Sequence, residues 1–242
     1  MTYCVGLKIS DGLVFLSDTR TNAGVDNIAR YKKTFNWSVT GERAITIATA
    51  GNLSITQGVI TRLNQAIHRD RTEDVESILN AETMYRIAQI VGNTMRDVQE
   101  RNSDALQARG EASDATMIVG GQRKGGRHRL FQVYAPGNFI EATPDTPYFQ
   151  IGEHKYGKPI LDRVLTIDTP MKDALKAVML SMDSTLRSNL SVGMPLDLTV
   201  IRSDTFDFDI QRRIEDGDPE FTELSERWSH ALREAFQTLP DV

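Results

Sequence analysis

Val5, Leu7 and Ile9 alternate with Gly6, Lys8 and Ser10 and run into Asp11-Gly12, after which the chain returns through Leu13-Val14-Phe15-Leu16. Alternation at period two that ends in Asp-Gly is the strongest short-range hairpin signal. The returning strand has no polar face, so it needs cover on both sides, and the rest of the chain has to supply it. Asp18 follows where that buried strand emerges.

After the turn-rich stretch Thr21-Asn22-Ala23-Gly24, strand patterns occupy 33–39 and 44–49 with Thr40-Gly41-Glu42 between them. Four consecutive strands joined by short turns predict one antiparallel sheet. The period then changes. Leu53, Ile55, Val59, Leu63 and Ile67, and again Met84, Ile87, Val91, Met95 and Val98, recur at three to four residues, which predicts two helices. Strand patterns return at 116–119, 130–134, 139–142 and 148–151, with the turn Pro136-Gly137-Asn138 between the second and third. Helices are predicted over 159–165 and from 170 to about 187, the latter with Asp168-Thr169 as cap residues and Pro170 at its first position. A strand pair over 196–201 and 206–214 follows. Beyond Asp216-Gly217-Asp218-Pro219, the residues Phe221, Leu224, Trp228, Leu232 and Phe236 share one helical face.

Strands, two helices, strands, two helices and strands describe an α+β chain in which two antiparallel sheets face each other with helices outside. The expected architecture is a four-layer αββα sandwich. With 242 residues, 40% of them hydrophobic, the chain can bury one sizeable core, so a single domain over 1–242 is expected, with a helical C-terminal extension from about 219.

The formal charge of −5 argues against nucleic acid as a partner, since readers of phosphate carry a basic stripe or patch. The basic run Arg123-Lys124-Gly125-Gly126-Arg127-His128-Arg129 has a glycine pair between two apolar runs and reads as a solvated hairpin tip. A single cysteine, Cys4, excludes an intramolecular disulfide and a zinc site built on several thiolates, and it suits a buried small hydrophobe. No apolar run approaches the roughly 18 residues of a membrane span and no basic, apolar leader opens the chain. A cytoplasmic protein without membrane contact is expected.

The chemistry gathers at the N-terminus. If Met1 is removed, Thr2 carries both a hydroxyl and a free α-amine, and an α-amine of pKa about 7.7 to 8 can act as a base near neutral pH. An ammonium close by favours the neutral amine, and a carboxylate is needed to hold that ammonium. Asp18 and the pair Lys32-Lys33 provide the residue types.

In order along the chain, Thr2, Asp18-Thr19-Arg20-Thr21, Gly24, Lys32-Lys33 and Ala50-Gly51 resemble the β-type subunits of the proteasome, within the N-terminal nucleophile hydrolases. Gly120-Gly121, Pro136-Gly137, Ile151-Gly152 and Leu196-Asp197-Leu198-Thr199-Val200-Ile201 extend the resemblance over roughly the first two hundred residues. The opening without a propeptide and the C-terminal helical extension are most similar to the bacterial branch called Anbu, the ancestral β subunit. The resemblance implies the N-terminal nucleophile hydrolase fold and a threonine peptidase or amidase needing no cofactor and no metal. Peptide or unfolded protein is the implied substrate, ring-like or helical homo-oligomers are the implied assembly, and an ATPase unfoldase is a partner class that nothing in the sequence identifies. The apolar faces that start at Leu53 and at Phe221 would be available to neighbouring subunits.

Residue by residue, the resemblance makes Thr2 the nucleophile, Lys33 the group that lowers the proton affinity around it, and Asp18 the carboxylate that orients Lys33. Gly51 would donate its N–H to the oxyanion, and Thr21 would bond a substrate strand added to the sheet edge. Arg20, Lys32, Ser188 and Ser191 would support the site, Ser191 as the family's late serine before a glycine. The segment from Gly24 to the lysines is one residue short, which leaves Lys32 as an alternative to Lys33. Ser188 stands where many β subunits carry an aspartate, and Gly152-Glu153-His154-Lys155 where they carry Gly-Ser-Gly. Simpler roles remain open at this level: Asp18 as a turn cap, Arg20 as a structural ion-pair partner, the lysines as edge-strand charges, His154 as a surface residue and the Trp228 stripe as packing. Two further alternatives stand beside the peptidase: a non-catalytic assembly subunit that retains Met1, and a small-molecule amide hydrolase of the same superfamily.

Overall fold

A computed structural model of the chain describes residues 2–22, 28–73, 75–108, 110 and 112–240. Met1 and Gly24, both used in the sequence argument, lie outside the described residues. The opening hairpin forms from β1 (Tyr3–Ile9) and β2 (Gly12–Asp18), but its two-residue turn is Ser10-Asp11, one residue earlier than the predicted Asp11-Gly12, because Gly12 at φ +143 packs into β2 opposite Ile9; every residue of β2 is buried. A short ribbon of β3 (Arg20–Asn22) and β4 (Ile28–Arg30) follows, then β5 (Thr34–Val39) and β6 (Arg43–Gly51). Helices α1 (Leu53–Glu73) and α2 (Met84–Gln107) precede β7 (Ala115–Arg123), β8 (Arg129–Val133), β9 (Phe139–Glu141) and β10 (Tyr148–Gly152). Helices α3 (Lys158–Val164) and α4 (Met171–Ser188), strands β11 (Leu196–Arg202) and β12 (Ile210–Ile214), and helix α5 (Pro219–Gln237) complete the order.

Two five-stranded antiparallel sheets result, ordered β10-β1-β2-β11-β12 and β5-β6-β7-β8-β9. The first strands of the chain therefore do not make one sheet, as their short spacing predicted. Because β1 and β2 are buried along nearly their whole length, they occupy the middle of a sheet and take β10 and β11, distant in sequence, as their outer neighbours. β5, with a largely half-buried pattern, becomes the edge of the second sheet, and the β3–β4 ribbon carries the chain between them.

Three apolar layers hold this arrangement. Cys4, Leu13, Phe15, Ala44, Ala48, Ile118 and Leu130 fill the space between the sheets. Ile45, Ile47, Val119 and Phe131 meet Ile55, Leu63, Ile87 and Met95 of α1 and α2 on one outer face. Tyr3, Val5, Leu16 and Val200 meet Leu161, Ala174, Val178 and Met182 of α3 and α4 on the other. Each fully buried Leu, Ile or Phe contributes about 1.5–3 kcal/mol of hydrophobic stabilisation, so the four-layer αββα sandwich is held by apolar burial.

α1 spends its apolar face inside the subunit: Ile55, Val59 and Leu63 are at most 1% exposed. The expectation that this face serves neighbouring subunits is corrected accordingly. α5 behaves oppositely. It contains no buried residue and leaves Leu232, Phe236 and, just beyond its end, Leu239 in solvent. Asp218 caps α5 by accepting the Phe221 N–H at 3.0 Å, and Ser225 bridges to α4 through Arg187 and Asp183, both at 2.7 Å.

The start of α4 also differs from the sequence reading. Pro170 is the cap residue, with ψ 146, and not the first helical position; its extended ψ ends the approach and the helix begins at Met171. The free Met171 N–H donates to Asp11 Oδ2 at 3.1 Å, so the β1–β2 turn supplies a cap from across the fold. Asp168 and Thr169 are used elsewhere: Asp168 accepts the Ser10 hydroxyl, and Thr169 Oγ1 accepts the Thr166 N–H at 2.8 Å.

Candidate active site

The register of the opening hairpin, from Ile9 opposite Gly12 to Cys4 opposite Ser17, carries Asp18 to the residue after Thr2. Asp18 Oδ1 accepts the Tyr3 N–H at 3.0 Å and the Lys33 ammonium at 2.7 Å, and Asp18 Oδ2 receives the Gly193 N–H at 3.4 Å. Lys33 Nζ also donates to the Arg20 carbonyl at 2.5 Å. Its own carbonyl is held on β6 by the N–H of Thr49 at 2.9 Å and the Thr49 hydroxyl at 3.2 Å. Both charged side chains are shut from water, at 5% and 0% exposure, so their attraction is weakly screened. Burial pushes the Asp18 carboxyl above the usual carboxylate range, against the opposing pull of the Lys33 ammonium and the two backbone donors.

Of the two lysines, Lys33 reaches this network. Lys32 is exposed, with its Nζ 5.7 Å from the centre of the Phe35 ring. Thr2 stands half-buried just ahead of β1. Gly51 closes β6 opposite Ala115 with φ +107, where a side chain would strike the Asp114 carbonyl. Thr21 lies on the β3–β4 ribbon opposite Ala29.

Arg20 reaches the loop after α4. Its guanidinium donates to the Leu190 carbonyl at 3.0 Å and lies flat against Gly193, leaving no room for a Cβ there. Ser188 ends α4 on its exposed side, while Ser191 is half-buried and turns its N–H onto Asn189 Oδ1 at 2.9 Å. His154 is exposed, and the single cysteine, Cys4, is buried, which raises its thiol pKa. Among the described residues, no group of three or more His, Cys, Asp or Glu side chains is placed to hold a metal ion, and no helix is long and apolar enough to cross a membrane.

Three positions in the site's immediate surroundings have no role in the sequence argument: Glu153, Asn189 and Gly193. The Glu153 N–H donates to the Thr2 carbonyl at 2.6 Å. Its carboxylate accepts the N–H groups of His154 and Lys155, both at 2.9 Å, and the Asn189 amide at 2.8 Å. Burial alone would raise this carboxyl, but the donors outweigh it and hold Glu153 below the usual glutamate range. Gly152 permits the approach, because at φ +81 a Cβ would collide with the Thr2 carbonyl. In the sequence, Glu153 stood out as part of Gly152-Glu153-His154-Lys155, the stretch that replaces the family's Gly-Ser-Gly, with no role attached to it.

Two faced sheets clad in helices, with a threonine heading the first strand and a buried Asp–Lys pair at its flank, define the N-terminal nucleophile class of fold. The sequence pattern of the family described as proteasome subunit matches residues 2–201, and the chain belongs to that family. Within it, the chain is similar to solved structures of Anbu. It shares 48% identity with Anbu (Gly-1) mutant from Hyphomicrobium sp. strain MC1, over 100% of this chain and 99% of that one, at a TM-score of 0.91. It shares 44% with Anbu (ancestral beta-subunit) from Yersinia bercovieri, over 99% of both chains, at a TM-score of 0.92. It shares 45% with the protein in the helical assembly of the Anbu complex from Pseudomonas aeruginosa, over 99% of this chain and 98% of that one, again at 0.92. No curated protein matches.

Proposed function

We propose that the chain is an N-terminal threonine hydrolase that cleaves amide bonds of peptide or unfolded protein, working within a ring-like or helical homo-oligomer. The observation that carries this reading is the sharing of Asp18 Oδ1 between the Tyr3 N–H and the Lys33 ammonium. One carboxylate oxygen thereby fixes a buried cation to the residue bonded to Thr2. With Met1 removed, Thr2 Oγ attacks the substrate carbonyl while its proton passes to the α-amine, which the nearby ammonium keeps neutral. The Gly51 N–H receives the charge developing on the carbonyl oxygen. The amine product leaves with the proton, and water, deprotonated by the same α-amine, releases the acyl group and regenerates Thr2. The assembly is supported by the helical assembly of the similar Pseudomonas aeruginosa Anbu and by the uncovered apolar face of α5.

The test is intact-mass analysis after exposure to a β-lactone, an electrophile that acylates hydroxyl nucleophiles. Protein with Thr2 exposed by methionine aminopeptidase should gain one adduct, mapped to Thr2. Protein retaining Met1 has a peptide nitrogen at that position, with no basic lone pair, and should gain none. Equal labelling of both forms would sink the mechanism.

A further inference from the structure

Resting on the reading of Thr2 as nucleophile, we propose that Glu153 and Asn189 are positioning residues, a hydrogen-bonded clamp that sets the strand bearing Thr2 against the loop that steadies Asp18. Neither residue touches the reacting atoms. The bonds around Thr2 close into a circuit. Thr2 is gripped at its carbonyl by the Glu153 N–H at 2.6 Å. The Glu153 carboxylate takes the Asn189 amide at 2.8 Å. Asn189 in turn shapes the loop after α4 through its Oδ1, which accepts the Ser191 N–H at 2.9 Å, and through its carbonyl, which accepts the Val192 N–H at 3.1 Å. That loop delivers the Gly193 N–H to Asp18 Oδ2 at 3.4 Å, and Asp18 Oδ1 returns to the Tyr3 N–H at 3.0 Å, one bond from Thr2.

The chemistry of the pair suits positioning. Glu153 is 7% exposed and Asn189 8%, so neither has water as a ready substitute partner. Glu153 has its lone pairs committed to three donors on two segments, the 154–155 turn and Asn189. A carboxylate can accept all three at once, whereas an amide in its place would present a donor to the Asn189 amide and open the link. The Gly152 backbone, which admits no side chain against the Thr2 carbonyl, fixes the distance from which the clamp acts. A displaced nucleophile costs rate without weakening encounter, because a misplacement of about 1 Å lowers the rate of an aligned reaction about a hundredfold.

The experiment exploits the polarity of the pair. Processed protein carrying Glu153→Gln or Asn189→Asp is titrated with the β-lactone, and the maximal acylation rate and the half-saturating concentration are read separately. Each single change should lower the maximal rate about tenfold to a hundredfold and leave the half-saturating concentration within about threefold. The first faces amide with amide and the second carboxylate with carboxylate. In the double variant an amide faces a carboxylate with the direction of the bond reversed, and the rate should return to within about threefold of the starting protein. Single variants at the unmodified rate, or a double variant no faster than the singles, would overturn the clamp. If the unmodified protein itself is not acylated, the proposed hydrolase fails, and the clamp is then judged by amide hydrogen exchange at Glu153, Ser191 and Gly193. Faster exchange in the singles with recovery in the double supports it, and unchanged exchange overturns it.

Discussion

Lys33 Nζ lies 2.7 Å from Asp18 Oδ1 in a place where neither side chain is more than 5% exposed. An ion pair so buried is a weak source of net stability, since removing both charges from water cancels much of their attraction. Removing one partner is another matter, because the other is left charged and unsolvated.

Lys33→Ala should therefore abolish acylation of Thr2 and lower stability at neutral pH by about 3–5 kcal/mol. Burial already raises the Asp18 carboxyl, and losing the ammonium removes the largest influence opposing it. A carboxyl whose folded pKa is raised is stabilising when protonated, so the deficit of the variant should shrink as pH falls through that raised pKa and reach its full size above it. Urea denaturation across pH checks the sign; a deficit that grows toward acid would refute it. Lys32→Ala, at an exposed position, should keep full acylation.

Gly152→Ala places a methyl group against the Thr2 carbonyl at φ +81. Left-handed backbone costs a non-glycine residue about 1–2 kcal/mol, and the collision adds displacement of Thr2 itself. The variant should lose acylation by more than its fall in Tm would suggest, which parallel thermal melts and adduct rates would show.

Asp11→Ala removes the acceptor for the Met171 N–H at the head of α4. Loss of a capping acceptor costs about 1 kcal/mol, and here the cost should appear in the urea midpoint without any change in acylation rate. An unchanged midpoint would mean that water replaces the cap.

Assembly should depend on α5 and not on α1. Phe236 is 76% exposed and Leu232 49%, so Leu232→Asp with Phe236→Asp should leave the melting temperature of the subunit near its starting value while light scattering reports smaller particles. Leu63→Ala, at 1% exposure in the core between α1 and the sheet, should instead destabilise the subunit by about 2–5 kcal/mol.

The existence of the opening hairpin, the apolar run Leu13-Val14-Phe15-Leu16 and the two helical periodicities are local patterns, and they were legible as such because strand and helix periods are written in neighbouring residues. The order of elements carried the four layers, and the ordered set Thr2, Asp18, Lys33 and Gly51 carried the resemblance. The approach of Asp18 to Thr2 depends on where the turn falls: a two-residue turn at Asp11-Gly12 would set Asp18 opposite Val5, whereas the turn at Ser10-Asp11, which pairs Ile9 with Gly12, brings it opposite Tyr3.

What the local pattern could not decide is which distant strand sits beside which. Nothing in β1 or β2 says that their outer neighbours are β10 and β11, because edge pairing depends on the whole sheet closing over its core. The choice between Lys32 and Lys33 is of the same kind: adjacent residues on an extended segment point to opposite sides, and only the docking of that segment on β6 through Thr49 turns Lys33 inward. Glu153 and Asn189 stand 36 residues apart in sequence and meet only because β10 and the end of α4 arrive at the same end of the sandwich. The sequence by itself determined the elements, their order and the residue types of the charged pair; tertiary packing decided the register of the opening hairpin, the neighbours of each sheet, the lysine that is buried and the circuit that closes around Thr2, because these rest on contacts between segments that no local periodicity links.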